Sequence, residues 1–240
     1  MKRLFISLAI LAGISLSSCN DSFLEKTPVT DLTENNAFNS YDNFKAFMWP
    51  CYEMFTNNTI RTSLQGFGQD GQYKGDMAAG YFQQKYESGY NEFAYQTVAS
   101  VASGNGWDFK SFIRRVNIML SHIDNSSMTE AQKDHWRAVG YFFHSFWYME
   151  LIDRFGDVPW VDQVLQEDSP EAYGPRVDRK TVADKVLERL QWAEQNIGNF
   201  TSQDGDNTIN QDCVRAVISR FGLREGTWRK YHELGDAEKY

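Results

Sequence analysis

The sequence lacks the basic excess that nucleic-acid binding requires. Its 24 lysines and arginines face 32 aspartates and glutamates, which gives a formal net charge of -8. Phosphate binding needs a basic face, so nucleic acid is excluded as the expected partner. No run of 18 apolar residues follows the N-terminal segment, so we expect no membrane-spanning helix in the mature chain. The sequence contains no nucleophile elbow, phosphate-binding loop or dinucleotide fingerprint, and it indicates no cofactor.

Cysteine is also scarce, and one of the three cysteines follows an export signal. Basic residues 2–3 precede an apolar stretch at 4–16 that is too short to span a membrane, and Leu-Ser-Ser-Cys occupies 16–19. This tetrapeptide resembles the lipobox of bacterial lipoproteins, which implies that residues 1–18 are a signal peptide and that Cys19 is lipidated. An ordinary secretory signal with a chance cysteine is the alternative. Acyl chains on Cys19 would hold the protein to a membrane.

The two remaining cysteines, Cys51 and Cys213, have two possible states. They could pair in an oxidising envelope, or both could lie buried as small hydrophobic side chains, which we favour. The polar residues 19–40 contain Pro28 and several Asn, Asp and Thr residues. This composition predicts an extended, lipidated tether over the surface.

One long helix is predicted from Thr129 to Phe155 as the core of the fold. Thr129 and Gln132 have the spacing of a capping box, and Gly156 suits a helix end. A rod of this length measures roughly 40 Å at about 1.5 Å per residue. Because most of its circumference is apolar, we expect neighbours on several sides. The large aromatic residues of this helix are predicted to lie in the core: Trp136, Phe142, Phe143, Phe146 and Trp147.

Four further helices are predicted from apolar residues at helical spacing. The first covers 41–55, and Pro50 should kink or restart it. The second covers 107–125, the third follows the capping residue Asp178, and the fourth covers 211–231. Residues 156–177 are predicted as a linker and 201–210 as a polar loop. Helix pairs joined by loops are typical of tetratricopeptide-type arrays, so the expected fold class is all-α.

Residues 56–106 form the least regular stretch and carry many glycines and aromatic rings. A long irregular loop in a compact domain usually serves function. Sugars present apolar C–H faces that stack on rings, and their hydroxyls need polar partners. The candidate ligand residues are Gln69, Asp70, Tyr73, Tyr81, Phe82, Tyr86, Tyr90 and Asn91. Packing of each ring inside the loop is the alternative, and a short helix is possible at 91–102.

Metal and catalytic sites are not predicted. The four histidines lack metal-binding spacing, and residues 204–215 lack the Gly and Glu of a calcium loop. Glu150, Asp153 and Asp157 could offer a carboxylate pair for glycoside hydrolysis, but no other catalytic pattern accompanies them. Arg137 and Arg154 are predicted to form structural ion pairs with acidic residues of neighbouring helices.

Several stretches, in order, resemble the SusD/RagB family of outer-membrane nutrient-binding lipoproteins. Behind the lipobox, Leu24, Pro28, Thr33-Glu34, Phe38 and Tyr52 resemble the family's opening segment. Trp107, Arg114 and Asn117 resemble its second helix. The strongest similarity runs from Trp136 to Val161, where Arg137-Ala138 leads into the aromatic run and Phe-Gly-Asp-Val-Pro closes it at 155–159. The similarity extends over nearly the whole chain.

The resemblance implies a tetratricopeptide-like scaffold that binds a glycan, or in some members a peptide, at the outer membrane. It implies delivery to a SusC-like TonB-dependent transporter without catalysis. Residues 41–240 would be an incomplete N-terminal helical domain, because family members continue into a C-terminal half. A lipid-anchored helical-repeat scaffold that binds protein or peptide partners is the alternative, and a periplasmic glycosidase is a third.

Overall fold

The computed structural model describes residues 37–55, 107–205 and 207–240, and in these ranges the chain is helical. The α-helices are α1 (Tyr41–Met48), α2 (Phe112–His122), α3 (Glu130–Phe155), α4 (Arg179–Asn196), α5 (Thr201–Asp204) and α6 (Gln211–Tyr231). Short 3-10 helices cover Trp49–Phe55, Pro170–Tyr173 and Ala237–Lys239. The described residues contain one isolated antiparallel bridge, between Val158 and Val177. Contacts divide the chain into a unit Met1–Ala37, of which Ala37 alone is described, and a unit Phe38–Tyr240.

The helix α3 forms the core, as its sequence predicts. The Thr129 hydroxyl accepts a hydrogen bond from the Gln132 N–H, and the Gln132 side chain accepts one from the Thr129 N–H, so the capping box is formed. Gly156 ends the helix at a φ of 69°, a conformation that L side chains rarely adopt. The predicted core aromatics are all buried: Trp136, Phe142, Phe143, Phe146 and Trp147.

Packing of the other helices around α3 gives paired helices. The contacts of α3 are most extensive with α4 and next with α2, and α6 packs mainly on α4. Asp178 caps α4 through the Lys180 N–H, and Asn210 caps α6 through the Cys213 N–H at 3.0 Å. The predicted all-α, tetratricopeptide-like fold class is therefore confirmed.

One boundary agrees with the sequence prediction and one differs from it. The first helix changes from α to 3-10 geometry at Trp49, immediately before Pro50, because proline cannot supply the N–H that an α-helix needs. The second helix starts at Phe112 and not at Trp107. The Asp108 carboxylate accepts hydrogen bonds from the N–H groups of Lys110 and Ser111, at 2.8 and 3.1 Å, and so forms a turn in the preceding residues.

The predicted polar loop at 201–210 contains the short helix α5, whose Asp204 joins three elements. The carboxylate of Asp204 is 3% exposed and accepts a 2.5 Å hydrogen bond from the Tyr41 hydroxyl. Lys45 Nζ lies 3.2 Å from one carboxylate oxygen and His135 Nε2 lies 3.8 Å from the other. The Tyr52 hydroxyl also accepts a hydrogen bond from the Ile209 N–H at 3.0 Å. These contacts attach the connection between α4 and α6 to the first helix.

The Phe-Gly-Asp-Val-Pro segment is held by side chains beneath it. The Tyr148 hydroxyl donates to the Pro159 carbonyl and accepts from the Val161 N–H. The Asn117 amide donates to the Val161 carbonyl at 3.1 Å, and the Asp157 carboxylate accepts from the Arg179 N–H at 2.9 Å. The motif therefore ends α3, and its Asp157 contacts the first residue of α4.

Buried His144 makes the stability of this segment dependent on pH. Its Nε2 donates to the Val161 carbonyl at 2.9 Å, because a carbonyl oxygen can only accept. Burial, and secondly the positive charge of Arg189, hold the pKa of His144 well below its usual value. The unfolded chain therefore takes up a proton near pH 6.5 that the folded chain does not bind. Stability is highest above that pH and falls as the pH decreases.

We expect His144→Gln to reduce the dependence of the unfolding free energy on pH between 6.5 and 5. One histidine can contribute up to about 1.4 kcal/mol per pH unit, so the slope should fall by up to that amount. Urea titrations at a series of pH values measure the slope independently of any uniform loss of stability. An unchanged slope would show that His144 is protonated equally in both states.

Candidate functional site

The residues that flank the ring-rich segment 56–106 on either side pack against the same helix. At one end, the Phe55 ring packs edge-on against Phe146 with centroids 5.2 Å apart. At the other end, the Trp107 ring packs edge-on against Phe155 at 4.9 Å. The Trp147 indole N–H donates to the Asp108 carbonyl at 2.8 Å. The C-terminal half of α3 therefore holds the chain immediately before and immediately after this segment.

We call this region the anchor surface; it comprises Trp49–Phe55, 107–111 and the C-terminal half of α3. A depression of about 240 Å³ lies on it. Its lining combines aromatic and aliphatic surface with carboxylates, a hydroxyl and one guanidinium. The lining residues are Pro50, Glu53, Asp108, Ser111, Phe112, Arg115 and Trp147. Apolar surface with a few polar groups is the general composition of a small-molecule site.

Arg115 is fixed in this depression by contacts to the first helix. Its guanidinium donates to the Phe47 carbonyl at 3.0 Å and lies 5.0 Å from the centroid of the Phe47 ring. Asp108 is similarly occupied with the turn before α2. Two polar side chains of the depression are therefore held in place by the scaffold. The depression offers shape and apolar area more than free charge.

The predicted ligand residues are not among the described residues that line the anchor surface. All eight, from Gln69 to Asn91, lie outside the described residues, as do Cys19 and the helix suggested at 91–102. They stay predictions. The structure adds Glu53, Ser111 and Arg115, which line the depression on the anchor surface. Sequence reasoning missed these residues because they lie in stretches that pattern alone assigns to scaffold helices.

The polar residues considered for other roles have structural partners. Arg137 forms ion pairs of 2.8 Å with Asp124, which follows α2, and with Asp134 of its own helix. Asp153 pairs with Arg224 of α6 and lies 4.0 Å from Arg179. Burial raises the pKa of Asp153, and these two arginines oppose that rise. The pair Glu150 and Asp153 is thus not arranged as two free carboxylates across a cleft.

Two cysteines lie among the described residues. Cys51 is buried and Cys213 half-buried, and neither forms a disulfide. The prediction that both are buried is confirmed for Cys51 and is wrong for Cys213, which is only half-buried. Burial raises the pKa of the Cys51 thiol to about 12. Among residues 37–55, 107–205 and 207–240, no group of three His, Cys, Asp or Glu could hold a metal.

Within the described ranges, no helix is both long enough and apolar enough to span a membrane.

Fold and site together define a class: a helical-repeat scaffold that holds a long aromatic-rich segment at both ends. The family model of SusD-like proteins, described as starch-binding and associating with the outer membrane, matches residues 22–223. The chain therefore belongs to the SusD-like family, as the resemblance in its motifs predicted. A search of curated protein sequences gives no match.

Solved structures show the same fold. A SusD-like protein from Bacteroides fragilis is similar over 85% of this chain, with 19% identity and a TM-score of 0.57. A SusD-like carbohydrate-binding protein from Bacteroides vulgatus is similar over 80%, with 17% identity and a TM-score of 0.56. A SusD-like carbohydrate-binding protein from B. fragilis is similar over 83% of this chain, with 16% identity and a TM-score of 0.54. The matches span 39%, 43% and 42% of those three chains, respectively.

Proposed function

We propose that this protein binds a glycan at the cell surface and delivers it to a SusC-like TonB-dependent transporter of the outer membrane, without catalysing a reaction. The ligand is an oligosaccharide or polysaccharide that stacks on rings of the segment 56–106, beside the anchor surface. The family match over residues 22–223 carries this proposal. The packing of the flanking residues Phe55 and Trp107 on α3 supports it, because a rigid scaffold can position a connecting segment for binding.

The glycan ligand can be tested by affinity electrophoresis against a panel of polysaccharides. We expect wild type to be retarded by at least one of them. Alanine at Tyr73, Tyr81, Tyr86 or Tyr90 should weaken binding about two- to tenfold where the ring stacks on sugar, since one aromatic contact contributes about 0.5–1.5 kcal/mol. Tyr173→Ala is the matched control, because Tyr173 is 80% exposed on a different segment. Binding to no polysaccharide would contradict the proposal.

The lipid anchor has its own test. We expect metabolic palmitate labelling to mark the wild-type protein and Cys19→Ser to abolish the label. The variant should leave the membrane fraction, because stable anchoring needs the buried acyl chains. Cys213→Ser serves as the control, since Cys213 is half-buried in the helical scaffold. Wild type without label would refute lipidation at this position.

The transporter partner separates this proposal from the alternative. A pull-down from native outer membranes should recover a TonB-dependent transporter with the wild-type protein. Retardation by a polysaccharide together with this partner supports nutrient delivery. Recovery of other proteins with no polysaccharide binding would instead favour the scaffold that binds protein or peptide partners. Turnover of a retarded polysaccharide would contradict the absence of catalysis.

A further inference from the structure

A second depression lies toward the N-terminal end of α3, where the chain passes from α4 through α5 to α6. It encloses about 280 Å³, close to the lower size of small-molecule pockets. Part of its wall is apolar and is formed by Ile197, Phe200 and Ile209. Gly198 and polar side chains form the rest, those of His135, Asn199, Thr201, Asp204, Thr208, Asn210, Gln211 and Asp212.

In each amide side chain of this wall, either the oxygen or the nitrogen forms hydrogen bonds to other described residues, but not both. The Asn199 amide oxygen accepts hydrogen bonds from the N–H and the hydroxyl of Thr201, at 3.2 and 3.0 Å. The Asn210 amide oxygen caps α6. The Gln211 amide nitrogen donates to the Glu194 carbonyl at 2.9 Å. Within the described residues, two NH2 donors and one amide oxygen therefore stay available to a ligand.

The charges around the depression select against an anionic ligand. Among its described lining residues there is no lysine or arginine, while Asp204 and Asp212 are both present. The Asp204 carboxylate is buried and has Lys45 and Tyr41 as partners. The Asp212 carboxylate is 90% exposed at the rim, where Arg215 lies 3.7 Å from one of its oxygens, and it can still accept hydrogen bonds. Sugar hydroxyls both donate and accept, and sugar C–H groups suit the apolar wall.

We propose that this depression binds one or two units of a neutral saccharide, as a second contact for the glycan; this rests on the proposed function. His135 borders the depression and Trp147 borders the anchor surface. Their separation of twelve positions along α3 corresponds to roughly 18 Å. A polysaccharide long enough to reach both contacts gains affinity, because its second contact forms within the same complex.

The double variant Asn199→Asp with Asn210→Asp tests the site while preserving the fold. At each position aspartate keeps a side-chain oxygen that can accept the hydrogen bonds from Thr201 or Cys213, but it lacks the free NH2 donor. We expect the dissociation constant for the polysaccharide that retards wild type to rise roughly tenfold, from the loss of two hydrogen bonds. The matched control, Asn39→Asp with Gln163→Glu, adds the same charge at exposed positions outside the depression.

A smaller probe locates the effect. In ligand-observed NMR, the methyl glycoside of the sugar that builds this polysaccharide should bind wild type and the four tyrosine variants of the ring-rich segment. It should not bind the double aspartate variant. Equal polysaccharide affinity of wild type and the double variant would overturn the second contact and leave the proposed function intact. A loss of the same size in the charge control would also overturn it. Wild type that binds no polysaccharide would remove the proposed function itself.

Discussion

Replacing Glu225 by alanine should destabilise the protein by about 3–5 kcal/mol, because the change leaves buried positive charge without its partner. Glu225 is fully buried, and its carboxylate lies 2.8 Å from Arg229 of the same helix and 2.8 Å from Arg179 of α4. Arg229 is 1% exposed. Thermal unfolding in a Cys19→Ser background should show a decrease in Tm of roughly 10 °C for a chain of this size.

A double replacement separates the charge effect from simple loss of packing. Glu225→Leu with Arg229→Met removes both charges and keeps approximately the same volume. Replacing a buried ion pair by apolar side chains is often neutral, so this variant should be more stable than Glu225→Ala. Arg179 still lacks Glu225 in this variant, and Asp184 loses its 2.8 Å contact with Arg229, so some loss is expected to persist. A loss below about 1 kcal/mol in Glu225→Ala would show that water reaches the site and screens the arginines.

Replacing Phe143 by alanine should cost about 3–5 kcal/mol, the usual range for a buried aromatic residue. Its side chain has no exposed surface. The ring contacts Phe142 with centroids 5.4 Å apart and Tyr52 at 5.2 Å, and it lies 6.1 Å from Phe55. The variant should also bind polysaccharide more weakly, because Phe55 begins the segment that we propose carries the ligand.

Urea denaturation measures the first effect and affinity electrophoresis the second. Leu223→Ala is the control for stability, because Leu223 is 76% exposed on α6 and its loss should change stability by no more than about 0.5 kcal/mol. A destabilised Phe143→Ala protein that keeps full polysaccharide affinity would show that the anchor surface does not position the ligand segment. A loss of stability equal to that of Leu223→Ala would contradict close packing around the ring.

Local sequence signals located the helix limits where a capping side chain or a glycine acts within a few residues. Thr129 with Gln132, Asp178 and Gly156 are such signals, and each occupies the position that was predicted. The start of α2 was missed, because the Asp108 turn competes with an apolar pattern that itself fits a helix. The helix α5 was missed since its four residues carry no apolar stripe. Its Asp204 contacts residues that are distant in the chain.

The all-α class, the central helix and the family all follow from the order and spacing of residues, because helix periodicity and capping depend on neighbours in the chain. The sites do not follow in this way. Three features are decided only by how the helices pack. The residues on either side of the ring-rich segment contact α3, the carboxylate of Glu225 forms ion pairs with two arginines, and free amide groups lie close together beside Asn199. Each depends on side chains that are far apart in sequence, and their distances are fixed by tertiary packing.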